Sequence, residues 1–371
     1  MTAATRMWQT DRSRLIAVVG IGVSVLAVLA NLGFFFGAGV GEVLRGAAYS
    51  AFVLGWMLLL TARSRTVSLT TLGIYFLLGV WAVTSLGYLL QDGFIRLVGG
   101  ERTDEWVATW LASFTEEGLK ALAVVGFYVL ATRDGRRWPS ISDGMMLGLV
   151  VGAGLKFHED AHIGIVTGHG WSSETSLSTV LPTIEAYVGY VYTDHAVRGA
   201  LEGLGVGAAA MLWHWRPARL IGLAGVFVMF WGHVMWNHFV DNPSEDVPAV
   251  YAALRAVLAN GMVPAWLLLA GAIAAVVAEL MILRWVGTRD RVFPALPAKR
   301  LFDLAKSANT KAGLLRLMAA DRYLRLRRSV YYAAWRTRQA GGYPDVADAD
   351  TAELMWLASR LGLRRSPSPP S

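Results

Sequence analysis

Ionisable side chains interrupt the apolar blocks of this chain at four places, and as a set they have the chemistry of amide hydrolysis. The first is Thr115-Glu116-Glu117-Gly118-Leu119-Lys120. Two adjacent carboxylates repel each other in a low-dielectric layer, and Lys120, one turn beyond Glu116, can pair with Glu116. The other carboxylate is then left for chemistry. The second place is Gly154-Leu155-Lys156-Phe157-His158-Glu159-Asp160, and the third is Asp194-His195 followed by Arg198, Glu202, Gly203, Gly205 and Gly207. The fourth is Gly232-His233-Val234-Met235-Trp236-Asn237. His233 and Asn237 are four apart and share a helix face, while the same spacing predicts that Arg198 and Glu202 pair with each other.

Glu116 and Glu117, with His195, suit the activation of water: a carboxylate takes its proton and returns it to a leaving amine. His233 and Asn237 can donate to the oxyanion as it forms. Alternatively Glu159, His195 and His233 could hold a single divalent metal such as zinc and acidify water through it. Lys120, Glu159 and Asp160 are supporting groups in either scheme. No HExxH segment occurs, so the ordinary zincin arrangement is absent. The residues leave the metal-free and metal-dependent routes open.

The elements that position these groups are membrane helices. Of 371 residues, 55% are hydrophobic and 16% charged, against roughly 25% charged in an average soluble chain. This excludes intrinsic disorder and a typical soluble enzyme, and the absence of cysteine excludes a disulfide scaffold and thiolate metal sites. The apolar blocks run for about twenty residues, the length that crosses a bilayer core. They predict an all-α, polytopic transmembrane bundle of about eight spans, at 15–40, 46–62, 68–90, 106–132, 141–157, 186–213, 219–240 and 261–284. The first block is about twice as long as the apolar core of a signal peptide and reads as an uncleaved span.

Charge between the blocks alternates. The N-terminus (1–14), the Arg63/Arg65, Arg133/Arg136/Arg137 and Arg216/Arg219 turns and the tail are basic; the 91–105 and 241–248 loops are acidic. His158 to Asp194 holds five acids and no Lys or Arg. Lysine and arginine mark the cytoplasmic side, which places both termini of a cell-membrane protein inside, as eight spans require. On this topology Glu116 lies roughly 15 Å from the outer entry and His233 about 9 Å, so the ionisable groups share the outer half of the bilayer. From Arg289 onward there are 16 Lys/Arg against 7 Asp/Glu. The 286–365 stretch reads as a basic, largely helical cytoplasmic extension. Leu314, Leu315, Met318, Leu324 and Tyr331 among its arginines would lie on anionic lipid. Nucleic acid is not expected as a partner. The end, 366–371, has the low complexity of a disordered segment.

In order and spacing the four segments resemble the PrsW-type intramembrane proteases, part of the wider group of CAAX-processing and bacteriocin-processing membrane proteases. Glu116-Glu117-Gly118-Leu119-Lys120 is similar to that family's Glu-Glu-x-x-Lys motif. Gly154 to Asp160 is similar to its Gly-Phe-x-x-x-Glu-Asn segment, which carries over Glu159. His195-Ala196 with the downstream glycines resembles its His-Ala motif, and His233-Val234-Met235-Trp236-Asn237 its His-x-x-Trp-Asn ending. Departures are Asp160 in place of asparagine, Lys156 in place of an apolar residue, and Arg198 beside the third motif. The extra histidines, His158, His162, His169 and His238, read as solvated residues of the outer face.

The resemblance implies a protease core within 15–285, with its motifs at 106–240, that hydrolyses a peptide bond of a membrane-associated protein near the outer face. A single-span protein of the anti-sigma-factor type is the implied substrate class. The competing classes are a proton-coupled transporter, which would carry internal repeats that this sequence lacks, and a non-catalytic scaffold.

Overall fold

The apolar blocks fold as helices in the computed structural model, which describes residues 57–133, 138–166, 185–187, 190–241, 249–259, 262–288, 296–339 and 348–363, with Gly55 and Phe293. The expected span 15–40, most of 46–62, and the end 366–371 lie outside the described residues. Helix α1, Leu69–Val98, starts at Ser68, whose hydroxyl accepts from Thr71 N at 3.0 Å, and contains a π turn at Gly79–Val83. Helix α2 opens with a π turn, Trp106–Leu111, and continues through Ala112–Thr132. Helix α3 is Ile141–Val166, α4 is His195–Met211, α5 is Arg216–Asp241 and α7 is Met262–Gly287. Among the described residues, Leu69–Val98, Arg216–His238 and Trp266–Gly287 are long and apolar enough to cross a membrane. Helix α3 runs for 26 residues, but Asp143, Lys156, Glu159 and Asp160 dilute its apolarity.

Two elements differ from the sequence expectation. The span expected at 186–213 does not begin as helix. Residues Glu185–Tyr187 (β1) and Tyr190–Tyr192 (β2) pair as a short antiparallel hairpin, Ala186 opposite Val191. The helix starts at His195, because Asp194 caps it by accepting from Val197 N at 2.9 Å. A nine-residue helix, α6 (Ala249–Val257), also stands between the last two spans, where the sequence offered only an acidic loop.

Helices α3 and α4 form the centre. Every residue from Ile141 to Lys156 is buried, as is every residue from His195 to Gly205. Around them α1, α2, α5 and α7 turn large apolar side chains outward, among them Leu89, Leu97, Leu122, Leu130, Leu223, Phe227, Ile273 and Met281. An apolar belt of this extent is the surface a bilayer covers. The two central helices touch backbone to backbone: a Cβ at Gly144, Gly148 or Gly152 would overlap the carbonyls of Gly203, Gly199 or His195 respectively. Gly152→Val therefore displaces the residue that starts α4. Overpacking of this kind costs about 1–3 kcal/mol. It is expected to lower the thermal midpoint in detergent and, through His195, the activity.

The C-terminal helices form a layer with its own core. Helices α8 (Ala298–Lys306), α9 (Lys311–Gln339) and α10 (Asp348–Arg360) bury Leu304, Tyr323, Leu326, Leu354 and Leu357 against one another. The expected lipid-lying helix is thus divided. Leu314, Leu315 and Met318 stay exposed, whereas Tyr331 is buried. The second half of α9 docks on the basic end of the bundle: Arg328 Nη1 donates to Arg65 O (2.8 Å), Tyr332 Oη to Ser64 O (3.1 Å) and Ser329 Oγ to Trp138 O (3.2 Å). Burial holds the Arg328 guanidinium below the usual arginine range and pushes the Tyr332 phenol up. Side chain to backbone bonds with these geometries are how a helix is seated on turns, and they leave α9 less free to lie on a lipid surface than its composition suggests.

Candidate active site

Four helices deliver the site. Helix α2 carries Glu116 and Glu117, and its rotation is fixed on both flanks. Gln91 Nε2 of α1 donates to Thr115 Oγ1 at 3.0 Å, and Asn237 Nδ2 of α5 donates to Ala108 O, in the π turn, at 2.9 Å. Helix α5 supplies His233, one turn before Asn237. Helix α4 supplies His195 at its capped first turn, and α3 supplies Glu159 where it leaves the buried core.

The central atom is Glu116 Oε2. It lies 3.8 Å from His195 Nε2 and 3.8 Å from His233 Nε2, and the two imidazole rings meet edge to face with centroids 4.9 Å apart. Behind His233, Glu117 Oε1 sits 2.6 Å from Nδ1, and its other oxygen, Oε2, is 2.6 Å from Lys120 Nζ. Beside His195, Glu159 Oε2 is 2.9 Å from Nε2. The side chains of Glu117, Lys120, His195 and His233 are at most 4% exposed, whereas Glu116 and Glu159 are 14% and 24% exposed. The cluster therefore opens through the two carboxylates, and its histidines are closed from behind.

A model of the PrsW family of intramembrane metalloproteases matches residues 67–269, more than half of the chain. The chain belongs to that family. No curated protein and no solved structure gives a significant match. As a PrsW-family member the protein is a peptidase and a multi-pass membrane protein, and its substrates are membrane proteins met within the bilayer. The match ends before the C-terminal helices, as the sequence motifs do.

Membership in a metalloprotease family raises the question of whether these residues fit a metal. One carboxylate oxygen of Glu116 and one ring nitrogen each of His195 and His233 lie within 4.8 Å of one another. One oxygen and two imidazole nitrogens form a donor set suited to zinc-like ions. Glu116 Oε2 is buried and accepts no hydrogen bond from any described residue. Glu117 on His233 Nδ1 is the outer carboxylate that commonly orients a ligating histidine, since a proton held at Nδ1 leaves the Nε2 lone pair facing inward. The set fits. It differs from the sequence expectation in one member: Glu116 joins the two histidines, and Glu159 stands beside His195.

Other expected site residues fall elsewhere. The Asn237 amide is engaged with Ala108 O and, at 3.4 Å, with Ser113 Oγ, so it ties α5 to α2. The Asp160 side chain, the His162 side chain and His169 lie outside the described residues. His238, expected at a solvated face, is buried, with Nδ1 2.9 Å from Glu105 Oε1 and its ring over Tyr251. Lys120, expected on Glu116, instead has its Nζ 2.6 Å from Glu117 Oε2, and Arg198 Nη1 approaches the other oxygen of Glu117 at 3.8 Å. The roles of Gln91 and Asp194 were also not foreseen. Asp194 had a signal, an acid directly before a helical run; Gln91 had none beyond being polar in an apolar block.

Proposed function

We propose that this PrsW-family protease cuts a peptide bond of a membrane-associated protein at the Glu116, His195 and His233 cluster, toward the acidic end of the bundle. The observation that carries this reading is the convergence of Glu116 Oε2 on both Nε2 atoms at 3.8 Å. In this reading Glu116, His195 and His233 would hold a divalent ion, and the chemistry supplied there would be that of a Lewis acid toward the scissile carbonyl and water. Both oxygens of Glu117 are engaged, one with His233 and one with Lys120, so Glu117 orients its histidine and takes no proton from water. Glu159, the most exposed carboxylate of the group, faces His195 from the open side. It is the group placed to accept the proton of the attacking water and to pass it to the leaving amine. Asn237 acts at one remove, by holding α5 in register with α2.

Charge bias places the acidic end outside a cell membrane and both termini inside, with 286–365 as a cytoplasmic extension whose exposed basic face meets anionic lipid. The substrate would then be cut near the outer face, and a single-span protein of the anti-sigma-factor type suits that geometry. Purified protein in liposomes with a single-span reporter tests the reading. Cleavage is expected, with its loss on chelation and its return with zinc. Cleavage unaffected by a chelator that removes all bound divalent metal would overturn the metal-dependent form, and no cleavage of any membrane reporter would overturn the assignment of this cluster.

A further inference from the structure

Below the cluster lies a second layer of buried charge that the proposed chemistry does not use. Helix α4 places His195, Arg198 and Glu202 at spacings of three and four, one continuous stripe. Arg198 and Glu202 lie about 5 and 10 Å along the axis from His195. They are 1% and 0% exposed, and neither can reach a substrate without the helices parting. Arg198 Nη1 is 3.8 Å from Glu117 Oε1, the oxygen that also engages His233 Nδ1, while Lys120 Nζ is 2.6 Å from Glu117 Oε2. Glu117 is therefore held by two cations and one imidazole. The charges around Glu202 are those of Glu117, Lys120 and Arg198. Glu202 is thus a second buried acid of the layer, one turn beyond Arg198 on the same helix.

Arg198 and Lys120 are the two buried cations of this layer. Their common neighbour is the Glu117 carboxylate, and its position decides which way His233 points its second nitrogen. We infer that Arg198 is a positioning residue for the peptidase site: it holds Glu117 against His233 Nδ1, and through it sets how tightly the Glu116, His195 and His233 cluster binds a divalent ion. This rests on the reading of that cluster given above. Arg198 stands beside the third of the sequence segments, at one of the places where this chain departs from the resemblance.

The test uses full-length protein in detergent, with zinc affinity by isothermal titration, thermal midpoint, and kcat and KM for a single-span reporter. Arg198→Met is expected to weaken zinc binding about 10–100-fold and to lower kcat with little change in KM. Arg198→Lys, which keeps the charge, recovers part of both. An Arg198→Met or Arg198→Gln variant that binds zinc and cleaves as wild type does would reduce Arg198 to packing and overturn the inference. Glu116→Gln separates the two levels. If it leaves zinc binding intact, the reading of the cluster itself fails; if it abolishes binding while Arg198→Met and Arg198→Gln do not weaken it, only the positioning role fails.

Discussion

Glu116→Gln and His233→Ala are each expected to lower cleavage of a membrane reporter by about 10³-fold or more, within the range that loss of a group acting directly on the reacting atoms produces. Glutamine keeps the size of Glu116 but not its charge, and Oε2 is the atom on which both imidazole nitrogens converge. His233→Ala removes one of those nitrogens and also strands the Glu117 oxygen that engages its ring. The two variants should therefore differ in stability although both lose activity: Glu116→Gln near wild type in thermal midpoint, His233→Ala lower. Zinc binding by titration is expected to disappear in both. His238→Ala is the matched control. That histidine is equally buried and faces Glu105 rather than the cluster, so cleavage should persist. Equal losses in His233→Ala and His238→Ala would mean that the effect is on packing and that the cluster has no special part in the chemistry.

The site was more legible in the sequence than the fold was. Charges inside apolar blocks are costly, so Glu116, Glu117, Lys120, His195 and His233 stood out before any geometry was known. Helical spacing then gave which groups share a face. What spacing cannot give is the partner across a helix interface. Arg198 on α4 approaches Glu117 on α2, where the backbone contact at Gly148 and Gly199 sets how the stripe of α4 sits among its neighbours. Asn237 shows the same limit: its face was predicted, but the π turn at Trp106–Leu111 brings the Ala108 carbonyl within reach of its amide. The hairpin before α4 and the docking of α9 were hidden for another reason. The docking depends on contacts between segments far apart in the chain, such as Tyr332 on Ser64, and the hairpin on a local pairing inside one apolar block, such as Ala186 opposite Val191; hydropathy and charge are blind to both.

Glu117 and Lys120 allow stability and catalysis to be separated. They form a buried pair at 2.6 Å, with neither side chain more than 2% exposed. Glu117→Gln leaves Lys120 without its carboxylate and is expected to cost about 3–5 kcal/mol, the range for breaking one side of a buried pair. Adding Lys120→Met removes the stranded cation, and replacing both members of a buried pair with uncharged groups is often neutral. The double variant should therefore regain most of its thermal midpoint. It should not regain activity. His233 Nδ1 then faces a neutral amide in place of a carboxylate, and losing such an outer partner typically weakens metal binding about 10–100-fold. Cleavage measured across a zinc titration distinguishes the outcomes. A double variant that is stable, needs at least tenfold more zinc and approaches wild-type rates only at saturation places Glu117 behind His233 as its orienting group. One that regains stability and cleaves at wild-type zinc concentrations would show that the pair only packs α2, and that the orientation of His233 is set by something other than Glu117.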